Sequence, residues 1–327
     1  MGLVFLWERW YFRHVKSFLQ TIEWLEFQKS IGRKTWRFDD GKVITNIVQH
    51  DLPFGMNYLY IPHGPEINFD NITGGLKNEL EQFILYIKNL AREQKSIFIK
   101  IEPLRDSVIE LLYGAGFKKS SKEIQAHKSI VLDIDKPEEE LLAGMHHKTR
   151  YNVRVAEKNG IIIQSTENVD AFYELLRKTT KRQRFSTHTK EYYKKFFEFF
   201  GNANGQCCAE IILAVHDDRP LQNVHSKPVA GGLMLTYGDT CYYLHGGSDH
   251  ELRQYMAPYG LHWGMIKFLK TRGIKHYDFG GSETTKWPGI TRFKLGWGGR
   301  QVEYPGSFDM SIRPLWFFVY KIVRKIF

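Results

Sequence analysis

Asn57-Tyr-Leu-Tyr-Ile-Pro-His-Gly64 and Thr240-Cys-Tyr-Tyr-Leu-His-Gly246 decide the fold: each is an aromatic, β-rich run closing on His-Gly, and each holds the same place in a longer pattern. A second β-rich run precedes each copy, Lys42 to His50 in one case and Val229 to Tyr237 in the other. After the first copy, Leu76 to Arg92 carries apolar residues at helical spacing and leads into a short β-rich run, Ser96 to Ile101. After the second, Pro258 to Arg272 opens with a proline suited to a first helical turn, stops at Gly273 and leads into Ile274 to Phe279. Strand, strand, helix, strand therefore occurs twice in one order, which reads as two copies of one α/β domain.

Between the copies, the charged stretch Asp135 to Glu140 with Pro137 marks a join. The expected division is a first domain over 1–140, a second over 141–304, and a C-terminal segment, 305–327, packing back on the first. Leu141 to Lys158 reads as a single basic helix containing His146, His147, Lys148, Arg150, Arg154 and Lys158, and two more helical patterns follow, Val169 to Lys181 and Lys190 to Phe200. Pro314 to Phe327 alternates apolar residues with Lys321, Arg324 and Lys325, an amphipathic basic helix for which packing on the first domain is the first expectation and peripheral membrane contact the second.

At 327 residues the chain passes the size at which one hydrophobic core stops growing, and a hydrophobic share of 43% leaves ample core material. Lys and Arg number 46 against 36 Asp and Glu, a formal +10 that favours encounter with polyanions: RNA, phospholipid surfaces or diphosphate-bearing substrates. Only Cys207, Cys208 and Cys241 occur, so no disulfide framework is implied, which fits a reducing compartment. No apolar run reaches the ~20 residues of a spanning helix. Met1 to His14 has Glu8 and Arg9 in its middle and no small-residue cleavage site, so it does not read as a secretory signal. A cytoplasmic protein is expected, working at most at the inner face of the plasma membrane.

No nucleophile-elbow serine motif, no Walker loop and no zincin motif appears. The thirteen histidines are scattered, and His146-His147, pointing to different sides of a helix, would not share an ion, so no metal is expected. Asp278-Phe279-Gly280 imitates a kinase triplet without the loop that should precede it.

The doubled strand, strand, helix, strand order resembles the GNAT acyltransferase fold, two tandem copies with mixed α/β sheets. In that fold a glycine-rich turn at a helix start cradles the coenzyme A pyrophosphate on backbone N–H groups. Here the turn reads Arg253-Gln254-Tyr255-Met256-Ala257-Pro258: the glycine is missing and Pro258 removes a donor. An acyl-coenzyme A donor is therefore the second choice, and a basic RNA- or membrane-surface-binding module without activity the third.

Met145-His-His-Lys-Thr-Arg-Tyr-Asn-Val-Arg-Val-Ala-Glu-Lys-Asn-Gly160, Arg292-Phe-Lys-Leu-Gly-Trp-Gly-Gly299 and Val302-Glu-Tyr-Pro-Gly306 resemble signature segments of the FemABX aminoacyltransferases. Gln20-Thr21 with Trp24, and the Ala257-Pro258-Tyr259 helix start, add weaker matches, and the likeness runs along nearly the whole chain. Where many members insert a coiled-coil arm, this chain has only Asp217 to Lys227, so it resembles the short, arm-less FemX-like members. The resemblance implies transfer of an amino acid from aminoacyl-tRNA, as co-substrate and without a further cofactor, to the side-chain amine of the stem peptide of UDP-MurNAc-peptide or lipid II, by a monomer.

Carried over residue by residue, the resemblance makes Lys294, after Phe293, the essential lysine, whose ammonium would stabilise the oxyanion as an amine attacks the aminoacyl ester. A solvated lysine on an edge strand is the plain alternative. Glu102 matches an acidic residue of the substrate groove that would take a proton from the attacking ammonium, or else simply cap the next segment. Arg182 falls where the family grips the precursor's phosphates, with Lys178, Lys181 and Arg184 as basic neighbours. A second phosphate-binding lysine is replaced by Gln28, with Lys29 beside it. Tyr255 and Tyr259 match aromatic positions lining the cleft. Lys148, Arg150 and Arg154 would approach the tRNA acceptor stem.

Overall fold

The computed structural model describes residues 17–68, 76–183, 185–201, 205–216, 227–283, 285 and 287–326. In chain order the first stretch gives α1 (Ile22–Ser30), β1 (Thr35–Asp39), β2 (Val43–Leu52), β3 (Met56–Pro62), β4 (Glu66–Ile67), α2 (Leu76–Glu93), β5 (Phe98–Glu102), α3 (Ile109–Gly114) and β6 (Lys118–Lys119). Then come β7 (Lys128–Asp133), α4 (Glu138–Gly144), α5 (His147–Lys158), β8 (Ile161–Thr166), α6 (Val169–Gln183), α7 (Lys190–Phe200), β9 (Cys207–His216), β10 (Lys227–Tyr237) and β11 (Thr240–Ser248). The chain closes with α8 (Ala257–Thr271), β12 (His276–Gly281), α9 (Pro288–Leu295), β13 (Arg300–Glu303), β14 (Phe308–Ser311) and α10 (Pro314–Ile326).

The chain divides into two compact units: one is Met1–His127 with Glu303–Phe327, the other Lys128–Val302. The first unit's sheet has the order β1-β2-β3-β5-β14-β6, with β4 on β2. Leu80, Phe83, Ile84, Ile87 and Ala91 recur along α2 at helical spacing and are buried in a core shared with Leu59, Ile99 and Ile101. Strands β3 and β5 run parallel and stay paired from Leu59↔Ile99 to Pro62↔Glu102, the last residue of each. Strand β14 sits between β5 and β6, so the C-terminal segment supplies an interior strand to the first sheet.

The second sheet has the order β13-β7-β12-β11-β10-β9-β8. Helix α8 buries Leu261, Met265, Ile266 and Leu269 in a core with Met234, Tyr277, Phe279 and Trp297. The first strand of this sheet is β7, antiparallel to β12 from His276↔Asp133 to Gly281↔Ser129. The join thus lies at residue 127/128 and not after 140: the charged run from Asp135 is the connection leaving β7, not the linker between units.

The expected single helix over Leu141 to Lys158 is two. Met145 and His146 are extended, His146 N–H donates to the Gly296 carbonyl (2.9 Å), and α5 restarts at His147. Residues 217–226, expected to form the short turn replacing an arm, and Met1 to His14 lie outside the described residues. The longest helix among the described residues is α2, at 18 residues, and none of them is long and apolar enough to cross a membrane.

One buried charge ties the C-terminal strand in place. Lys100 on β5 is almost fully enclosed; its Nζ lies 2.7 Å from Asp309 Oδ1 on β14 and donates to Ser307 Oγ (2.7 Å) and Ser120 Oγ (3.1 Å). Removing one partner of a buried pair strands the other charge, at a cost of about 3–5 kcal/mol. Lys100→Met is accordingly expected to lower the thermal melting midpoint by several degrees, and Asp309→Asn added to it to recover part of the loss; a Lys100→Met chain that melts like the parent would contradict this account.

Candidate active site

In the second unit the parallel strands β11 and β12 pair only from Thr240↔His276 to Tyr242↔Asp278. Both continue, β11 to Ser248 and β12 to Gly281, so the ladder opens beyond Tyr242 and Asp278. At the opening the β10–β11 register jumps from Met234↔Tyr243 to Leu233↔His245, leaving Leu244 as a bulged residue with no partner on either neighbour. Bulges of this kind re-aim side chains and occur beside active sites. The jump sends Tyr243 onto the α8 side, 4.5 Å from the His262 ring, and His245 onto the α7 side, 5.3 Å from Tyr193.

Lys294 stands at this opening, on α9 rather than on an edge strand, and its Nζ donates to the Gly281 carbonyl at the end of β12 (2.7 Å). Helix α9 begins with Pro288 at its start and is tied back by Thr291, whose Oγ1 donates to the Glu283 carbonyl and accepts from the Glu283 N–H, each at 2.9 Å. Its other end meets α5: a Cβ on Gly296 would come within 2.3 Å of Thr149 Oγ1, and Gly298 has φ +82°, so neither position takes a larger residue without rearrangement. Gly280, with φ +72°, lets β12 turn past the Tyr243 carbonyl; a Cβ there would lie 3.1 Å from that oxygen and 3.8 Å from Lys294 Nζ.

Lys294 is half-buried, and burial pulls its ammonium down from the ordinary lysine range to about 8, opposed by the carboxylate of Asp278. Asp278 is buried; desolvation raises its carboxyl, against the pull of hydrogen bonds from Ser129 and Gly280 (the latter 2.7 Å) and of Lys294. Beneath lies His262, whose Nδ1 meets Tyr277 Oη at 2.9 Å and whose pKa burial and then Lys294 depress to about 3. The imidazole is neutral at pH 7. Phe293, Tyr259 and Trp297 close around it, with ring centroids 5.0 Å apart for Tyr259–Phe293 and 5.3 Å for His262–Phe293. Trp297 is fully buried, and its Nε1 has no acceptor among the described residues.

The structure therefore brings Lys294, Phe293 and Tyr259 together and adds Asp278, His262, Tyr243 and the Leu244 bulge, which the sequence reading did not select. The kinase-like triplet holds a structural turn: Asp278 receives the Gly280 N–H, and the next carbonyl receives Lys294. An aspartate inside a short aromatic strand, two residues before a pair of glycines, was the available signal. Tyr255 lies outside this group and stacks on His216 at 3.9 Å.

Elsewhere the expected residues divide. Arg182, exposed in the last turn of α6, makes among the described residues a long 3.4 Å contact to the Ser248 carbonyl, while Lys178 pairs with buried Asp249 at 2.6 Å; Arg184 lies outside the described residues. Lys148 and Arg154 are exposed on α5 with Tyr151. Arg150 is not free for RNA: its guanidinium donates to the carbonyls of Leu142 (3.0 Å), Ala143 (3.2 Å) and Met145 (3.3 Å), closing the C-terminal end of α4.

In the first unit, Gln28 is buried and its Oε1 accepts from Arg33 (2.7 Å), so it is a packing residue without access to a phosphate, whereas Lys29 is exposed beside Glu26 (3.7 Å). Glu102 is buried and its oxygens accept from Tyr60 Oη (2.5 Å), Ile124 N–H (2.6 Å) and Gln125 N–H (2.9 Å). That carboxylate fastens the segment before β7 to the sheet. The paired histidines differ from expectation: His146 is the extended N-cap of α5, so its ring lies 4.2 Å from that of His147 instead of on the opposite side.

At the start of α8 a 3₁₀ turn, His250–Tyr255, runs straight into the helix through Met256 in the left-handed region (φ 52°). The Tyr259 and Gly260 N–H groups both turn to the Met256 carbonyl (2.9 and 3.4 Å), and Pro258 has none to offer. This helix start lacks the fan of amides a pyrophosphate needs.

The FemAB family model matches residues 112–227 and 218–325. The chain belongs to the FemAB family. It is 23% identical to a lipid II:glycine glycyltransferase of Staphylococcus epidermidis, covering 94% of this chain and 91% of that one, and 24% identical to its Staphylococcus aureus namesake, covering 94% and 90%. Those alignments span 387 and 389 positions, more than this chain's 327 residues, so these relatives carry insertions relative to it. The crystal structure of FemX superposes with a TM-score of 0.78 at 21% identity over 93% of this chain and 94% of that one. A tandem GNAT protein from the clavulanic acid biosynthesis pathway superposes at 0.54, with 11% identity, over 89% of this chain and 94% of that one. The fold is thus two GNAT-like domains with mixed sheets.

A lysine so placed has a signature independent of turnover. After reductive ¹³C-methylation, the Lys294 resonance, identified by its loss in Lys294→Met, is expected to titrate near pH 8, well below the ~10.4 of lysine in a model peptide. Titration at the model-peptide value would contradict the burial described here.

Proposed function

We propose that this chain is an aminoacyltransferase that moves an amino acid from aminoacyl-tRNA to the side-chain amine of the stem peptide of a lipid II-type peptidoglycan precursor, the step that builds an interpeptide bridge. The observation that carries the reading is the half-buried Lys294 ammonium fixed on the Gly281 carbonyl where β11 and β12 part, within a chain of FemAB sequence. The glycyltransferase relatives, which by name act on lipid II, support the acceptor class.

The reaction needs little beyond positioning and charge. The acceptor amine attacks the ester carbonyl carbon, a C–N bond forms, and the carbonyl electron pair moves to oxygen. The tetrahedral anion then collapses, the ester C–O bond breaks, and the tRNA 3′ oxygen leaves with a proton while the new ammonium gives one up to become the amide. Lys294, still protonated at pH 7, faces the oxygen as its charge grows; removing such a preorganised donor costs ~10²–10³ in rate. Tyr259 and Phe293 line the approach. Exposed Lys148 and Arg154, with Tyr151 between them, suit phosphates and an unstacked base of the tRNA end. Exposed Arg182 suits the diphosphate of the acceptor.

The turn before α8 disfavours an acyl-coenzyme A donor. Incubation with a mixed pool of charged tRNAs and lipid II-type acceptor, read by mass spectrometry, is expected to show a gain of one aminoacyl residue. Lys294→Met is expected to lower kcat by ~10²–10³, and the loss of parental rate above about pH 8 should be absent from the variant's residual rate. A Lys294→Met chain of undiminished rate, or acceptor modification from coenzyme A thioesters instead, would refute the proposal.

A further inference from the structure

Helix α10 packs on its own unit by one face only. Phe317 is buried against Phe98 (4.9 Å between centroids), and Tyr320 lies 5.0 Å from the same ring, over the stacked Tyr58–Phe98 pair. Arg324 is held on this inner side by Tyr320 Oη, and Lys122 reaches across to the Arg324 carbonyl (2.6 Å). The opposite face carries Leu315, Trp316, Phe318, Val319, Ile322 and Val323, which are 36% to 72% exposed. At about 100° per residue these six positions fill an arc of roughly 160° that contains no charged residue. A helix with this pattern ordinarily turns its apolar arc to the core; this one turns it to the outside.

The flanks are basic. Arg313 lies near Trp316, Lys321, about 60° beyond the Phe318 side of the arc, holds its Nζ 4.3 Å from the Phe317 centroid, and residues 312–327 include no acidic residue. An apolar arc bordered by cations and free of anions matches the chemistry of a bilayer surface bearing anionic headgroups. A second protein surface would call for mixed charge at the rim.

We infer that α10 is a membrane-docking helix, which lays Leu315, Phe318, Val319 and Ile322 into the interfacial layer of an anionic bilayer with Arg313 and Lys321 at the headgroups. The inference rests on the reading of the acceptor as lipid-linked: an enzyme whose acceptor is confined to a membrane surface gains by being held there, since search is reduced to two dimensions.

The test is co-sedimentation of the full chain with phosphatidylcholine vesicles and with the same vesicles containing phosphatidylglycerol. Binding is expected to be strong only with the anionic lipid, to weaken as salt is raised, and to fall at least tenfold in Phe318→Asp/Ile322→Asp, since each substitution removes an apolar side chain from the docked face and puts a negative charge there. Both positions are exposed, so the variant should keep the parent's circular dichroism and melting midpoint. Transfer to a water-soluble stem-peptide acceptor should also be unchanged. The inference fails if the chain stays in the supernatant with anionic vesicles, or if the double substitution leaves binding intact. It fails equally if sedimentation velocity shows that the substitution dissociates a dimer, which would make the arc a contact between two copies. Vesicle binding without transfer from any charged tRNA would sink the functional reading and leave this one standing; transfer without vesicle binding would do the reverse.

Discussion

The parting of β11 and β12 is the constraint on which the candidate site depends. Two parallel strands share a ladder through Tyr242 and Asp278 and then separate, so backbone that would otherwise pair is left facing a gap within a sheet. The first unit runs the same strand, strand, helix, strand order, yet its parallel pair β3–β5 stays closed to the last residue. There the corresponding carboxylate, Glu102, is spent on holding the segment at Ile124 and Gln125. One copy of the motif supplies an opening and the other a closed sheet.

What fills the opening determines its chemistry. A cation at a strand terminus in water would be worth little, because exposed charges are screened. Lys294 gains its value from the aromatic wall of Tyr259, Phe293 and Trp297 and from neutral His262 beneath, which together lower the local dielectric. The same burial lowers its pKa, and Asp278, set back and held by Ser129 and the Gly280 N–H, keeps the proton in place at neutral pH. The Gly281 carbonyl fixes the head group in space, so little reorganisation is needed when an anion forms.

Much of this was legible in the sequence. The doubled order of elements emerged from period and punctuation because α2 carries a strong apolar periodicity and α8 opens at Pro258 and stops at Gly273, and the segments around Met145 and Lys294 carried the family likeness most clearly. Less legible was whatever depends on tertiary pairing. Strand β7, short and buried, is told from a linker only by its partner β12; the break at Met145–His146 exists because Gly296 accepts the His146 N–H. Gln28 and Arg150 occupy plausible positions for phosphate contacts, but Arg33 and the end of α4 claim them, and no spacing rule announces such a claim. The bulge at Leu244 leaves no trace in composition at all.

The central claim is that Lys294 binds charge that exists only as the ester carbonyl becomes tetrahedral, and it is tested most directly with a phosphonate that joins an adenosine 3′ oxygen to an amine in that geometry. In Lys294→Met the phosphonate should lose affinity by the same factor as kcat/KM, ~10²–10³, while binding of an uncharged tRNA end is unchanged. Equal affinity of parent and variant for the phosphonate, with the rate still lost, would contradict the account and assign Lys294 a role other than stabilising the anion.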